Sequence, residues 1–280
     1  MSRLRTGSRQ RLISPWLRGN DNHMIEIHNL YKAFGSQMIL NNLSLTVRRG
    51  ETKAIIGRSG VGKSVLLKNI VGLIKPDSGS IKINGVEVTN LNEKSYNKVR
   101  MEIGMVFQGG ALFDSMSVGD NVAFVLNEFM NLDKKTIRDR VADALGLVGL
   151  KDVEHLMPAQ LSGGMKKRVS LARVLCMEPQ IILYDEPTSE VDPITAAAIN
   201  QLIIDLRDKL KVTSIIVTHD INSASLVADS IAMFYRGQVI ADGKPQEILN
   251  SSHPVVKQFI SGSAEGAITE DENLIFGHVK

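Results

Sequence analysis

Cysteine is almost absent from this sequence, because Cys176 is the single cysteine among 280 residues. One cysteine cannot form an intrachain disulfide bond, and a protein without disulfides is typical of a reducing compartment. Cys176 lies in the segment LARVLCMEP (171–179), which has a helical pattern. We therefore expect a small core residue at this position.

Long apolar runs are absent as well. No stretch of about 18 consecutive apolar residues occurs, so the sequence predicts no membrane-spanning helix. The residues are 43% hydrophobic and 22% charged, a composition that indicates a globular protein rather than a fibre or a disordered chain. A chain of this length can bury a sizeable core in one large domain or two small ones.

Charge is distributed unevenly along the chain. Residues 1–23 contain one acidic residue, Asp21, and five arginines: Arg3, Arg5, Arg9, Arg11 and Arg18. From Met24 onward, the chain contains 28 basic and 29 acidic residues and is nearly neutral. Nucleic-acid binding by that part is therefore not expected. Residues 1–23 are predicted to be a disordered basic leader without the apolar region of a secretory signal. Two interpretations stay open: an arm that contacts anionic lipid, and translation that begins at Met24.

Short apolar runs with strand character alternate with helical patterns. Strands are predicted at 24–30, 38–47, 51–57, 80–88, 103–107, 181–185, 214–218 and 231–235, and helices at 64–73, 136–150 and 195–210. This alternation predicts a mainly parallel sheet that is covered on both faces. Gly35-Ser36 and Asn84-Gly85 predict turns between neighbouring strands. Helical patterns from about 110 to 160 interrupt the alternation and predict an inserted helical subdomain.

The segment 57–64 matches the phosphate-loop pattern G-x-x-x-x-G-K-[ST]; its residues are Gly57, Arg58, Ser59, Gly60, Val61, Gly62, Lys63 and Ser64. The glycines allow the backbone N–H groups to point at phosphate oxygens. Lys63 supplies a positive charge for the β- and γ-phosphates, and the Ser64 hydroxyl can bind Mg²⁺. A strand precedes the segment and a helix follows, so a nucleotide site is favoured over an ordinary glycine-rich turn.

Two carboxylates follow the apolar run IILY (181–184). Asp185 and Glu186 stand at the C-terminal end of a predicted core strand, where ligands of parallel sheets bind. Asp185 can hold Mg²⁺ through water, and Glu186 can act as a general base on an attacking water. Acidic residues often end strands, so the pair gains its specificity from the phosphate loop upstream.

A glycine pair opens a predicted helix within LSGGM (161–165). A helix N-terminus of this kind is another anion-binding element. The order of phosphate loop, LSGG and strand-Asp-Glu strongly resembles the ATP-binding cassette (ABC) ATPases, from about residue 24 to 260. The resemblance implies an α/β P-loop NTPase fold with a mainly parallel sheet core, an antiparallel β subdomain and an inserted α-helical subdomain at about 110–165. A C-terminal tail at 261–280 would follow.

The resemblance also implies roles for single residues. Gln108 resembles the glutamine that senses Mg²⁺ and links to the membrane partner. His219, in VTHD, resembles the histidine that contacts the γ-phosphate. Phe34, in KAFG, resembles the aromatic residue that stacks on adenine. Tyr31 is a weaker candidate for that role, and burial in the core is the alternative interpretation.

Catalysis in ABC ATPases requires a head-to-tail homodimer with two ATP molecules at its interface. Ser162, Gly163 and Gly164 of one subunit are then expected to close on the γ-phosphate that the other subunit holds. The loop that crosses this interface corresponds to residues 189–192. It reads SEVD, whereas the family commonly has S-G-L-D or S-A-L-D. The carboxylate of Glu190 either weakens closure or pairs with a basic residue across the interface.

Shorter segments resemble the ATPases of Mce-associated (Mla-type) lipid transporters: GGALFDSMSV (109–118), LSGGM in place of LSGGQ, DPITAA (192–197) and QFISGSAEGAI (258–268). Such transporters move phospholipids or other lipids between bacterial membranes. They contain an integral permease, an Mce-domain lipid-binding protein and sometimes a STAS-domain subunit. The resemblance implies ATP and Mg²⁺ as cofactors, and a peripheral position on the cytoplasmic face of the inner membrane.

Other classes remain as alternatives. An importer of a polar solute such as an amino acid would share the catalytic residues, and only the shorter segments argue against it. A non-transport cassette is less favoured, because the chain has one phosphate loop, one LSGG and no cysteine cluster.

Leu112, Phe113 and Met116 follow Gln108, where contact with a permease is expected. Packing within the helical subdomain is the alternative explanation for them.

Overall fold

The computed structural model describes residues 22–269. In chain order its elements are β1 (His23–Phe34), β2 (Gln37–Arg48), β3 (Thr52–Ile56), α1 (Lys63–Ile70), β4 (Ser78–Ile83), β5 (Val86–Glu87), α2 (Glu93–Arg100), β6 (Ile103–Val106), α3 (Val118–Phe129), α4 (Lys134–Leu147), α5 (Gly163–Leu175), β7 (Ile181–Asp185), α6 (Pro193–Leu210), β8 (Thr213–Thr218), α7 (Ile221–Val227), β9 (Ser230–Tyr235), β10 (Gln238–Gly243), α8 (Pro245–Leu249) and α9 (Pro254–Ser261). None of the helices within residues 22–269 combines the length and the apolar character that crossing a bilayer requires. Most of the predicted leader and the end of the predicted tail lie outside the described residues.

The first sheet is antiparallel and has the strand order β2-β1-β4-β5. Both predicted turns are confirmed, since Gly35-Ser36 joins β1 to β2 and Asn84-Gly85 joins β4 to β5. Asn84 and Gly85 have φ angles of 51° and 77°. A two-residue type I′ hairpin requires positive φ at both central residues, so the local sequence determines this turn.

The second sheet has the strand order β10-β9-β3-β8-β7-β6. Its strands run parallel except β10, which pairs antiparallel with β9. Every residue of β3, β7 and β8 is buried, because helices cover both faces. Leu183 packs on one face in a cluster with Leu66 of α1, and Tyr184 packs on the other face with Val169 of α5. The predicted parallel core is confirmed.

The segment between β6 and β7 is helical, as predicted, and its helices α3, α4 and α5 pack on one another. Val122, Leu145 and Val169 belong to their shared core. The helix predicted at 136–150 begins earlier, because the Asp133 side chain accepts hydrogen bonds from the backbone N–H groups of the first turn of α4. The limits of this subdomain, about 110–165, stay a prediction.

Helix α1 is shorter than the predicted helix at 64–73. It ends at Ile70, and Gly72 beyond it has a φ angle of 66°. A Cβ at Gly72 would lie 2.5 Å from the Tyr96 ring on α2. Glycine therefore ends the helix in a left-handed conformation and allows α2 to approach.

The segment after α9 continues the packed body. Val256 of α9 and Ile268 are buried in one cluster with Met233 of β9. The buried side chain of Gln258 holds the returning backbone, because its Oε1 accepts a hydrogen bond from Ile268 N at 2.6 Å. The division of the chain into 1–23, 24–260 and 261–280 stays a prediction, although Ile268 of the predicted tail packs with the body that precedes it.

Cys176 follows the last residue of α5 and is 2% exposed. It packs in the cluster that contains Val174 and Leu175. Burial raises the pKa of its thiol to about 12. The predicted core position is confirmed.

Candidate active site

The loop between β3 and α1 contains the predicted phosphate-binding residues. Gly57, Gly60 and Gly62 have φ angles of 150°, 84° and 102°, which residues with side chains rarely adopt. A Cβ at Gly57 would lie 2.6 Å from the carbonyl oxygen of Phe234, and one at Gly62 would lie 2.9 Å from Cγ2 of Ile39. Glycine is therefore needed at both positions, and the loop keeps a shape that can bind an anion. The intervening Arg58 and Ser59 are exposed, and Val61 is half-buried.

Lys63 begins α1 and is only 5% exposed. Its Nζ donates hydrogen bonds to the carbonyl oxygens of Gly57 at 2.7 Å and Arg58 at 3.0 Å. Burial lowers the pKa of Lys63, and the negative charges of Glu186 and Asp185 oppose this shift. The loop thus encloses an ammonium group that is already positioned for a phosphate.

Ser64 and Asp185 meet where β7 ends, and the Ser64 Oγ donates a hydrogen bond to Asp185 Oδ1 at 2.7 Å. Mg²⁺ prefers oxygen ligands, keeps several waters and is usually bound by one or two protein groups together with phosphates. Among residues 22–269, no group of three His, Cys, Asp or Glu side chains is suited to hold a metal. The Ser64–Asp185 pair therefore fits Mg²⁺ shared with phosphate oxygens rather than a metal held by protein alone.

Glu186 has a φ angle of 49°, a strained value for a residue with a long side chain, of the kind often found at functional sites. Its Oε1 lies 3.9 Å from Lys63 Nζ, and its Oε2 lies 3.0 Å from Nδ1 of His219, the residue after β8. The Glu186 side chain is 12% exposed and that of His219 is 59% exposed. A carboxylate in this position can accept a proton from a water at the open side of the site.

Gln108 follows β6, and its side chain turns toward the 189–192 loop. Its Nε2 donates a long hydrogen bond, 3.4 Å, to Oε1 of Glu190. Its backbone oxygen accepts a hydrogen bond from Nζ of Lys167. Within residues 22–269, no hydrogen bond joins the Gln108 side chain to Ser64 or Asp185. Metal binding by Gln108 would require its side chain to turn away from Glu190.

The LSGG residues lie at the N-terminus of α5. Ser162 caps the helix, since its Oγ accepts a hydrogen bond from Met165 N at 3.2 Å. Gly163 is exposed, and a Cβ at Gly164 would lie 2.7 Å from Cγ2 of Thr195 on α6. In the described part of the chain, no hydrogen bond or ion pair joins these residues to Lys63 or Glu186. Within one subunit, the LSGG residues therefore do not reach the phosphate loop.

Phe34 ends β1 and is 48% exposed. The ring is accessible, and Lys32 Nζ lies 5.4 Å from its centroid. Ile39 of β2 contacts Gly62, so the β1–β2 hairpin lies against the phosphate loop. An exposed ring in this place can stack on a nucleotide base. Tyr31, the weaker candidate, is half-buried.

Two polar residues at the site were not identified from the sequence. Asp77 accepts hydrogen bonds from Lys32 Nζ and Ala33 N, at 2.8 Å and 2.7 Å, and so fixes the strand that ends in Phe34. Nothing in the local sequence around Asp77 indicates this contact. Lys167 is 8% exposed on α5. It could have been found, because it lies four positions before Leu171, on the buried face of a predicted helix.

Comparison with known proteins assigns the chain to a family. The model of the family described as ABC transporter matches residues 40–189, which is more than half of the chain. The chain belongs to the ABC transporter family. The family and fold predicted from the sequence are thereby confirmed.

Two curated relatives of this ABC cassette differ in the cargo that their names state. It is 43% identical over 248 residues to the probable ribonucleotide transport ATP-binding protein mkl of Mycobacterium tuberculosis, a match that covers 89% of this chain and 69% of that protein. It is 39% identical over 246 residues to the intermembrane phospholipid transport system ATP-binding protein MlaF of Haemophilus influenzae, covering 88% of this chain and 93% of MlaF.

Solved ABC cassettes have the same fold. The structure of cbiO1 from Clostridium perfringens, part of the ABC transporter complex cbiONQ, superposes with a TM-score of 0.77 and 32% sequence identity, covering 91% of this chain and all of that one. A dimeric, post-hydrolysis structure of the ATP-binding cassette MJ0796 with ADP and Pi gives a TM-score of 0.73 at 32% identity. That match covers 79% of this chain and 99% of the other.

Proposed function

We propose that this chain is the ATP-hydrolysing subunit of an ABC transporter that moves phospholipid, or another lipid, between bacterial membranes. The observation that carries the hydrolysis is the position of Glu186. Its carboxylate lies between Lys63 and His219, next to the Ser64–Asp185 pair. This is where a general base is needed if a γ-phosphate occupies the adjacent phosphate loop.

The residues of the phosphate loop bind and orient the substrate. Lys63 and the N–H groups of 57–62 neutralise the β- and γ-phosphates of ATP, because phosphoryl transfer depends mainly on positioning and charge. Ser64 and Asp185 hold Mg²⁺, with Gln108 as a further ligand after its side chain turns. When bound, Mg²⁺ supplies additional neutralisation of the phosphate oxygens. Phe34 stacks on the adenine.

The remaining site residues act on the attacking water and the γ-phosphate. Glu186 accepts a hydrogen bond from the water and takes its proton. His219 fixes the Glu186 carboxylate through their 3.0 Å contact and reaches the γ-phosphate from the open side of the site. A water that is hydrogen-bonded to Glu186 at the open side of the site is then aligned for attack.

Completion of the site requires a second copy of the chain. The N-terminus of α5, with Ser162, Gly163 and Gly164, is an anion-binding element, and within residues 22–269 no hydrogen bond or ion pair joins it to Lys63 or Glu186 of its own subunit. In a head-to-tail homodimer this element closes on the γ-phosphate held by the partner. The structures of MJ0796, a similar cassette, are dimeric and support the pairing of two copies. Hydrolysis removes the γ-phosphate that joins the two copies, so that they separate.

The segment after Gln108 is suited to contact a permease. Asn121, which is fully buried, fixes its shape by accepting a hydrogen bond from Phe113 N and donating to the carbonyl oxygens of Phe113, Met116 and Ser117. Phe113 remains 41% exposed beside Phe124, with ring centroids 4.7 Å apart. Leu112 and Met116 are half-buried. A rigid loop with an exposed aromatic side chain would hold the subunit peripherally on a permease at the cytoplasmic face of the inner membrane.

A lipid cargo is supported by the segments that resemble Mla-type ATPases and by the relatives. MlaF of Haemophilus influenzae and of Escherichia coli are named as intermembrane phospholipid transport proteins. An Mce-domain lipid-binding protein and a STAS-domain subunit would then complete the transporter. No nucleic-acid partner is proposed.

A polar-solute importer is the second candidate. The methionine import ATP-binding protein MetN of Carboxydothermus hydrogenoformans is 40% identical over 242 residues, covering 85% of this chain and 72% of MetN. The name of mkl states transport of ribonucleotide, which is also a polar solute. The catalytic residues do not discriminate between these cargoes, because transporters of either cargo would share the same ATPase site and fold.

Two measurements test the proposal. Phosphate release from Mg-ATP by the purified chain tests hydrolysis, and a chain that binds ATP without releasing phosphate in the presence or absence of its permease would contradict it. Mild detergent extraction followed by mass spectrometry of co-purifying proteins tests the cargo. A permease with an Mce-domain protein is expected, whereas a permease with a conventional solute-binding protein would favour the second candidate.

A further inference from the structure

Lys167 is a buried lysine close to the catalytic groups. It lies on α5, one turn beyond the LSGG residues, and is 8% exposed. Its Nζ donates hydrogen bonds to the backbone oxygen of Gln108 and, at 3.4 Å, to Oγ of Ser189. The Ser189 Oγ in turn donates to the backbone oxygen of Glu186 at 2.8 Å. One ammonium group therefore joins three parts of the site that come from α5, the end of β6 and the loop after β7.

Glu190 holds the other end of Gln108. Its Oε1 accepts the 3.4 Å hydrogen bond from Gln108 Nε2. Glu190 has a φ angle of 63°, in the left-handed region that disfavours residues with a Cβ. A glutamate at this position therefore costs conformational energy, of a kind that is often found at functional sites. Gln108 is thus held at its backbone by Lys167 and at its amide by Glu190.

The carboxylates around Lys167 influence the pKa of its ammonium group. Burial lowers the pKa of Lys167, and Glu190 is the largest of the opposing influences, followed by Glu186 and Asp185. Asp185 and Glu186 oppose the lowering of the pKa at both buried lysines, Lys63 and Lys167. If Lys167 were replaced by an apolar residue, the backbone of Gln108 would lose its donor while the Gln108 amide kept its contact with Glu190.

We propose that Lys167 is a positioning residue that, together with Glu190, fastens the Gln108 loop and the 189–192 loop to α5. The inference rests on the proposed ATPase function and adds a pair of charged residues to it. Lys167 acts through Gln108 and the loop, without touching ATP itself. Because α5 begins with the LSGG residues, a displacement of its N-terminus against a partner subunit would reach Gln108 through this lysine.

A double-mutant cycle tests the pair. Lys167→Met is expected to lower kcat by about tenfold or more, and Glu190→Gln in the same chain is expected to restore most of that loss, because coupled residues are not additive. If Lys167 only filled space, removal of the Glu190 charge would not restore kcat in Lys167→Met. Lys209→Met, at an exposed lysine of α6, is the control and should behave as the wild type.

A second readout does not depend on turnover. In a Glu186→Gln background, light scattering measures Mg-ATP-driven dimer formation for the parent chain, Lys167→Met, Glu190→Gln and the double variant. Lys167→Met is expected to reduce dimer formation, and addition of Glu190→Gln is expected to restore it. Unfolding midpoints identify variants that fail to fold. Lys167→Gln, which keeps a donor and removes the charge, replaces Lys167→Met in that case, and the same recovery is required of it.

The outcomes separate this inference from the proposed function. If the wild type hydrolyses ATP and Lys167→Met matches it in kcat and in dimer formation, the inference is wrong. It is also wrong if the double variant is as slow as the product of the two single effects. If the wild-type chain does not hydrolyse Mg-ATP at all, the proposed function fails before the cycle is measured.

Discussion

The Nδ1 atom of His219 lies 3.0 Å from Oε2 of Glu186. The two residues follow different strands, β7 and β8, which are parallel neighbours with Asp185 in register with Val217. Their carboxyl ends therefore emerge at one edge of the sheet, where ligands of open parallel sheets bind. Glu186 can accept a proton, and the contact with His219 fixes the orientation of its carboxylate.

Replacement of Glu186 by glutamine is expected to preserve ATP binding and remove turnover. The amide has nearly the same shape but cannot accept a proton, and general-base catalysis contributes about 10²–10⁴-fold. Phosphate release under saturating Mg-ATP measures turnover, and a fluorescent ATP analogue measures binding. A variant that keeps more than about a tenth of the wild-type kcat would remove Glu186 from the assigned role.

His219→Ala is expected to lower kcat by about 10²-fold, which is the loss typical of removing one donor that is aimed at developing charge. Affinity for ATP should change by only a few-fold, because His219 lies outside the phosphate loop. The matched control is His28→Ala, which also removes a histidine beside a carboxylate: His28 Nε2 lies 3.6 Å from Glu26 Oε2 on the antiparallel sheet. Equal effects of the two substitutions on kcat would contradict the assignment.

The sequence predicted those parts of the site that are formed within one short segment. The phosphate loop, the glycine pair after Ser162 and the strand that ends at Asp185 each consist of neighbouring residues whose backbone needs are visible locally. Glycine at 57 and 62 is required by φ angles and by close contacts, and both causes select the same residue. The alternation of strands and helices predicted the parallel sheet for a similar reason, since burial on both faces leaves continuous apolar runs.

Contacts between distant segments could not be predicted in this way. Gln108 and Glu190 are 82 positions apart, and Lys167 is 59 positions from Gln108. Their meeting depends on the register of β6 with β7 and on the packing of α5, neither of which has a local pattern. The packing of Ile268 was not predicted for another reason: a side-chain hydrogen bond from Ile268 N to Gln258 holds this part of the chain, and such a contact leaves no periodic pattern in the sequence.

The thiol of Cys176 is expected to be unreactive in the folded protein. Burial raises its pKa to about 12, so the thiolate that reacts is scarce at neutral or mildly alkaline pH, and the side chain is only 2% exposed. Reaction with a chromogenic disulfide reagent at pH 8 should be at least about 10²-fold slower in buffer than in denaturant. Rapid stoichiometric labelling of the folded chain would show that the region around the end of α5 opens readily.

Gly62→Ala is expected to impair nucleotide binding more than it impairs folding of the rest of the chain. The added Cβ would meet Ile39 Cγ2 at 2.9 Å and the Ile39 carbonyl oxygen at 3.0 Å, while φ is 102°, so the loop must move away from β2. Gly50→Ala is the matched control, since Gly50 also has a positive φ of 75° but has open space around its Cβ position. The control should lose about 1–2 kcal/mol of unfolding free energy from its left-handed conformation and bind ATP normally.

For Gly62→Ala, displacement of the loop N–H groups should weaken ATP binding by at least about tenfold, since one such factor corresponds to roughly 1.4 kcal/mol. Titration with a fluorescent ATP analogue, alongside chemical denaturation of both variants, measures the two effects separately. Wild-type affinity in Gly62→Ala would mean that the close contact with β2 does not set the shape of the phosphate loop.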